Sequence, residues 1–134
     1  RKDRESVINL LKRINELKIN NKLDYIESGA LGLWIPSKET IIIDYRVIEM
    51  GSPTFLEVLS HEAIHVAQSC LSGSRNKFPE RIGLPLEFSK ELNLNLSHNL
   101  YGNKSEEVMK LEREAFTYSK VEGAAIKLLN NFCG

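Results

Sequence analysis

Cysteine is scarce: Cys70 and Cys133 are the only two in a chain of 134 residues. So few, so far apart, they form neither a disulfide framework nor a Cys-x-x-Cys redox or metal pair. A single bridge between them stays open if the chain is exported. Net charge is absent as well, because 18 Lys and Arg balance 18 Asp and Glu. That removes the basic excess by which nucleic-acid-binding domains are recognised. The basic residues Arg1, Lys2, Arg4, Lys12 and Arg13 are interleaved with acids and read as a solvated helix face. No apolar run reaches the ~18 residues of a membrane-spanning helix. No repeat, low-complexity tract or Gly/Ser/Pro-rich linker divides the chain, so residues 1–134 read as one domain. A domain with 42% hydrophobic residues buries an ordinary core without staples. Any metal it binds is therefore expected to serve chemistry rather than folding. The chain opens on Arg1 rather than on methionine, which leaves room for a removed leader. A cytoplasmic setting is the expectation, with export left open.

What is present begins with a helix. Val7, Leu10, Leu11, Ile14 and Leu17 recur at three- and four-residue spacing, an amphipathic pattern from about Asp3 to Leu17 that Asn20-Asn21 closes. A small, mainly antiparallel sheet follows. Asp24–Ser28 and Leu31–Ile35 flank Gly29 as a hairpin or tight turn, and Thr40–Tyr45 is β-branched enough for a strand buried on both faces. Gly51-Ser52-Pro53 interrupts the pattern. Thr54-x-x-Glu57 then reads as a capping box, opening a helix that runs to about Leu71 and stops at Gly73. Residues 74–86 read as a loop and Glu87–Leu100 as a short helix. Tyr101-Gly102-Asn103 is a turn, and one long last helix is expected from Ser105 to Phe132, with Glu106 and Glu107 in its positive first turn. The sum is an α+β, zincin-like arrangement.

The residues that carry chemistry are His61-Glu62-Ala63-Ile64-His65. Residues four apart on a helix differ by only about 40° in direction, so both imidazoles can reach one metal ion. Glu62, about 100° round from His61, can instead touch a water activated by the metal and act as general base. Zinc in catalytic sites takes three protein ligands and keeps one position open. The helical projection puts Glu57, His61, His65, Gln68 and Ser72 in one polar stripe. Leu59, Ala63, Val66, Ala67 and Cys70 fall on the other side, so the histidines lie off the core-packing face and Cys70 is not a ligand.

The third ligand comes from elsewhere, since no further histidine follows His65 closely. The last helix offers Glu112 and Glu114, which point about 160° apart. Glu114 shares a stripe with Leu111, Tyr118, Val121, Ala125, Leu128, Leu129 and Phe132. A carboxylate there needs a partner, because an unpaired buried charge is costly, and zinc would be that partner. Glu114 is therefore the expected ligand, ahead of Glu112 on a more mixed face and His98 in a polar stretch. Tyr118, one turn on, is a candidate donor near the metal or to an oxyanion, against an ordinary core role. Trp34 and its strand are candidates to line a substrate cleft.

His61-Glu62-x-x-His65 on one helix, with Glu114-Ala115-x-x-Tyr118 on a later one, resembles the gluzincin zinc peptidases, the thermolysin-like members among them. The resemblance is confined to these two helices. It implies Zn2+ held by His61, His65 and Glu114, with Glu62 as the base in peptide-bond hydrolysis, and a peptide or protein as substrate. Two rival readings keep part of this: a catalytically silent zinc-stabilised or peptide-binding module of the same fold, and a metal-free helical interaction domain. Glu62 argues against the first, since holding a metal requires only the ligands.

Overall fold

The computed structural model of the chain describes residues 2–86 and 106–134. Helix α1 (Lys2–Glu16) forms as its periodicity requires and buries Leu10 and Ile14, one turn apart. Lys18, at φ 60°, turns the chain into strand β1 (Asn20–Asp24). The helix thus ends at Glu16, and Asn20-Asn21, expected to close it, instead opens a strand. Strand β2 (Gly32–Ile35) leads through a single 3-10 turn, Pro36–Lys38, into β3 (Thr40–Asp44).

The strand order is β1-β3-β2, with β3 parallel to β1 and antiparallel to β2. The sheet is therefore mixed. The hairpin joins β2 to β3 across the 3-10 turn, not two strands around Gly29. Side chains hold the 25–31 segment in place of a ladder. Asp44 Oδ2 accepts Ile26 N–H at 2.8 Å, while Arg46 Nη2 donates to the carbonyls of Gly29 and Ala30 at 3.2 and 3.3 Å. Arg46 in turn binds Asp44 Oδ1 through Nε at 2.8 Å. That side-chain hydrogen bond is the main reason the Asp44 carboxyl sits well below the usual range. The central strand β3 buries Ile41 and Ile43, while Thr40 and Ile42 at the alternate positions are half-buried, so the strand expected to be buried on both faces is apolar and fully buried on one.

After the one-turn helix α2 (Arg46–Glu49), helix α3 (Ser52–Leu71) runs through the middle of the molecule. It starts two residues before the expected capping box. Gly51, at φ 96°, makes the turn, and Pro53 falls in the first turn of the helix, where its missing N–H costs nothing. No side-chain cap is formed. Leu59, Ala63, Ile64, Val66 and Ala67 of α3 are fully buried and meet α1, β3 and the last two helices in one core.

The expected long last helix is two: α4 (Glu106–Ser119) and α5 (Ala124–Phe132), separated by a turn in which Gly123 takes the left-handed conformation at φ 77°. The expected short helix at 87–100, the 101–103 turn, the Ser105 cap and His98 lie outside the described residues. Cys70 at the end of α3 and Cys133 after α5 form a disulfide with Cα atoms 5.4 Å apart. Cys70 faces away from the histidines, as the projection had it. By loop-closure entropy, a bridge spanning 63 residues stabilises by about 4 kcal/mol, and it fastens the helix that carries the motif to the chain's C-terminal segment. No described helix is long and apolar enough to cross a membrane.

Candidate metal centre

Helices α3 and α4 pack side by side, and the polar stripe of α3 meets the mixed face of α4. His61 Nε2 lies 2.9 Å from Glu112 Oε1, and His65 Nε2 lies 3.2 Å from the same oxygen. The two rings stand edge to face with centroids 4.9 Å apart, and Phe116, one turn beyond Glu112, stands edge-on to His61 at 6.3 Å. One ligand atom from each of His61, His65 and Glu112 lies within 4.8 Å of the others. Two neutral imidazoles and a carboxylate are a donor set that suits zinc. The residues present thus fit a metal ion, with Glu112 in the position expected of Glu114.

Glu114 is elsewhere. Its carboxylate is fully buried on the neighbouring face of α4. There it accepts the backbone N–H groups of Ile82 (2.8 Å), Gly83 (2.9 Å) and Leu84 (3.0 Å), the Gln68 amide (2.9 Å) and Arg81 Nη2 (3.2 Å). The reasoning that a buried carboxylate needs a partner was sound. The partner is a loop backbone with two side chains, not a metal. Burial pushes the Glu114 carboxyl up, but these N–H donors outweigh it and hold the group below the ordinary value. Tyr118 is likewise committed, its hydroxyl donating to the Pro85 carbonyl at 2.7 Å. It clamps the same loop and does not line the cleft beside the histidines.

That cleft, about 360 Å3, is walled by Gly32, Leu33 and Trp34 of β2 on one side and by Phe78 and Pro79 on another, with His61, Glu62, His65 and Glu112 between them. Trp34 both lines the cleft and is tied to the core, its indole N–H donating to Ser69 Oγ at 2.8 Å. Glu62 is 6% exposed and packs against β2. A methyl group on Gly32 would stand 2.9 Å from Glu62 Cγ and 3.0 Å from its Oε2, so only glycine lets the carboxylate lie there.

Among the protein groups, burial lifts the Glu62 carboxyl above the ordinary value and Glu112 adds to the lift, partly opposed by the two imidazoles. Burial would lower His65, but the Glu112 charge overrides it and raises the imidazole to about 9. Glu112 responds reciprocally: burial pushes it up, and His65 and His61 pull it well below the carboxylate range.

Sequence reasoning underrated three residues. Glu112 was named but ranked second. Gln68 was placed in the polar stripe without a role, though it is fully buried and its Oε1 lies 2.7 Å from His65 Nδ1. Gly32 carried no signal beyond being a glycine within an otherwise apolar strand, which hints at close approach of another group. No family model, curated protein or solved structure matches the chain.

Proposed function

We propose that this chain is a zinc-dependent metallopeptidase of gluzincin type, hydrolysing peptide bonds with Glu62 as general base. The observation that carries the reading is the convergence of His61, His65 and Glu112 in one cleft that Glu62 also lines. The three donors leave open a side of the group that faces the cleft, a feature of catalytic rather than structural zinc sites. Zinc held there would supply the Lewis acidity that activates a water and polarises the scissile carbonyl.

The chain's own groups do the rest. Glu62 takes a proton from the attacking water and returns it to the departing amine nitrogen, which leaves the carboxylate ready for another cycle. Its enclosure by β2 keeps bulk water from it, and an elevated proton affinity suits a base that must also deliver the proton. Strand β2 lies at the edge of the sheet beside Glu62 and can lay an extended peptide across the site by strand addition. Leu33, Trp34, Phe78 and Pro79 make the walls apolar, so apolar side chains flanking the scissile bond are the expected preference. The Cys70–Cys133 bridge fits an oxidising compartment and favours export over the cytoplasmic expectation.

Glu62→Gln keeps the shape of the side chain and cannot take the water's proton. In a peptide-library assay on zinc-loaded protein it should lose about 10²–10⁴-fold in cleavage rate while binding zinc as before. Equal cleavage by both proteins would remove Glu62 from this role. No cleavage by the zinc-loaded wild type would favour a silent module of the same fold.

A further inference from the structure

A chain of hydrogen bonds joins the buried loop anchor to the histidine pair, and the direction of each bond follows from its neighbour. Glu114 is surrounded by N–H groups from Ile82, Gly83, Leu84, Arg81 and Gln68. Backbone N–H and guanidinium groups only donate, so both Glu114 oxygens act as acceptors. Gln68 must then turn its NH2 toward Glu114 Oε1 at 2.9 Å, and the same NH2 reaches the Leu111 carbonyl at 3.2 Å, another pure acceptor. With the amide orientation set, Gln68 Oε1 is the atom 2.7 Å from His65 Nδ1. An amide oxygen only accepts, so Nδ1 carries the hydrogen. Nε2, the nitrogen beside Glu112, is then the one that can give up its proton and offer a lone pair to a metal.

We propose that Glu114 and Gln68 are positioning residues for His65: Glu114 sets the orientation of the Gln68 amide, and the amide sets the tautomer and ring orientation of the imidazole. Histidine ligands characteristically donate their second N–H to a fixed acceptor, and losing that acceptor weakens metal binding about 10–100-fold. Here the acceptor is itself oriented by a carboxylate one step further away. The same carboxylate holds Ile82–Leu84, and the Gln68 backbone carbonyl accepts Glu80 N–H at 3.1 Å. The segment that begins with the cleft wall Phe78-Pro79 is therefore fastened to the residues that orient His65. The part of this inference that concerns metal affinity rests on the proposed zinc site; the tautomer does not.

The test uses the full chain with 15N-labelled histidine, as wild type, Gln68→Met and Glu114→Gln, by NMR with and without one equivalent of zinc. Zinc affinity is read by chelator competition, and hydrogen exchange is followed at Ile82, Gly83 and Leu84. Wild type should show a slowly exchanging proton on His65 Nδ1. Gln68→Met should lose it and bind zinc about 10–100-fold more weakly, while the three loop amides stay protected. Glu114→Gln should disturb both the imidazole proton and the loop amides. If Glu114→Gln frees the loop amides but leaves the Nδ1 proton and zinc affinity at wild-type values, Glu114 is structural only and the positioning role is overturned. Should Glu114→Gln fail to fold, an unchanged Nδ1 proton in Gln68→Met overturns the proposal equally. A wild type that takes up no zinc removes the proposed function, yet the Nδ1 proton still decides the relay: its absence overturns it, and its loss in Gln68→Met upholds it.

Discussion

Glu112 and Glu114 stand two residues apart on α4, and each is held below the ordinary carboxylate value against the upward push of burial. Their surroundings differ in kind. Glu112 keeps 22% of its side chain exposed and meets two imidazoles directly in the wall of the cleft. Glu114 is sealed at 0%, with N–H donors from a loop, a glutamine and an arginine. The first carboxylate meets two imidazole nitrogens with one oxygen, whereas both oxygens of the second accept hydrogen bonds from within the fold. The difference teaches that burial alone does not mark a metal ligand. A carboxylate whose hydrogen bonds are saturated by backbone amides is a fold anchor. One that shares a single oxygen with two imidazoles belongs to a group that could hold a metal ion.

The sharpest way to break this comparison is to delete each acid in turn. Glu114→Ala strands buried backbone donors in the Ile82–Leu84 segment, so it should cost roughly 3–5 kcal/mol of stability and lower Tm by roughly 10–20 °C. Thermal unfolding in chelator reads this without interference from metal. A shift under 3 °C would show that the loop does not depend on Glu114.

Glu112→Ala should do the reverse. Zinc affinity should fall by more than the ~100-fold upper limit for a group that only supports a ligand, while the unfolding temperature in chelator moves much less than for Glu114→Ala. Chelator competition checks it. An exchange of the two outcomes would restore Glu114 as ligand.

The smallest effect expected is in the pH dependence, and it separates the two acids because only Glu112 is coupled to an imidazole. His65, raised to about 9 from an ordinary 6.5 by Glu112 against burial, contributes stability that is complete below about 6.5 and is lost as pH rises through about 9. Both carboxyls are depressed, so their contribution is present above the ordinary 4.5 and disappears on acidification below it. The summed contribution of His65, Glu112 and Glu114 to the stability of chelator-treated protein should therefore fall on both sides of a plateau from about pH 5 to 7. The raised Glu62 carboxyl adds a loss with rising pH, equally in wild type and Glu114→Ala. In Glu112→Ala the alkaline fall should be much reduced while the acid fall due to Glu114 persists. An alkaline fall unchanged in Glu112→Ala would mean that the imidazole does not draw its proton affinity from that acid.

Much of this was legible in the chain itself. The periodicity of Leu10 and Ile14 gave α1, the β-branched run gave β3, and the i, i+4 histidines marked the site with Glu62 beside them. The projection of α4 even predicted that Glu114 is buried. What it could not give was the partner, because backbone N–H groups of an irregular loop some 30 residues earlier leave no side-chain signature. Gly83 and the lack of periodicity around it were the only hints. The better criterion was available: His61 and His65 lie on a polar stripe, and the third donor was to be sought off the apolar stripe of α4, on the mixed face where Glu112 sits one turn from Phe116. The sheet was misread for a related reason. Tyr25–Ser28 has strand-like composition, but its Ile26 N–H goes to the Asp44 side chain and Arg46 holds the Gly29 and Ala30 carbonyls just after it, a long-range choice that local propensity does not report. The split of the last helix was visible only as Gly123, whose positive φ ends one helix axis and lets another begin.

The central claim is that His61, His65 and Glu112 together hold one zinc ion. Its most direct test is zinc-edge X-ray absorption, with elemental analysis, on chelator-free wild type and on Glu112→Ala. The account predicts about one zinc per chain in the wild type, with two imidazole nitrogens at ~2.0–2.1 Å and oxygen donors completing a four-coordinate shell. It predicts in addition that Glu112→Ala either loses the metal or replaces a carboxylate oxygen by solvent. Absence of stoichiometric zinc from the wild type, or a coordination shell unchanged by removal of Glu112, would contradict it.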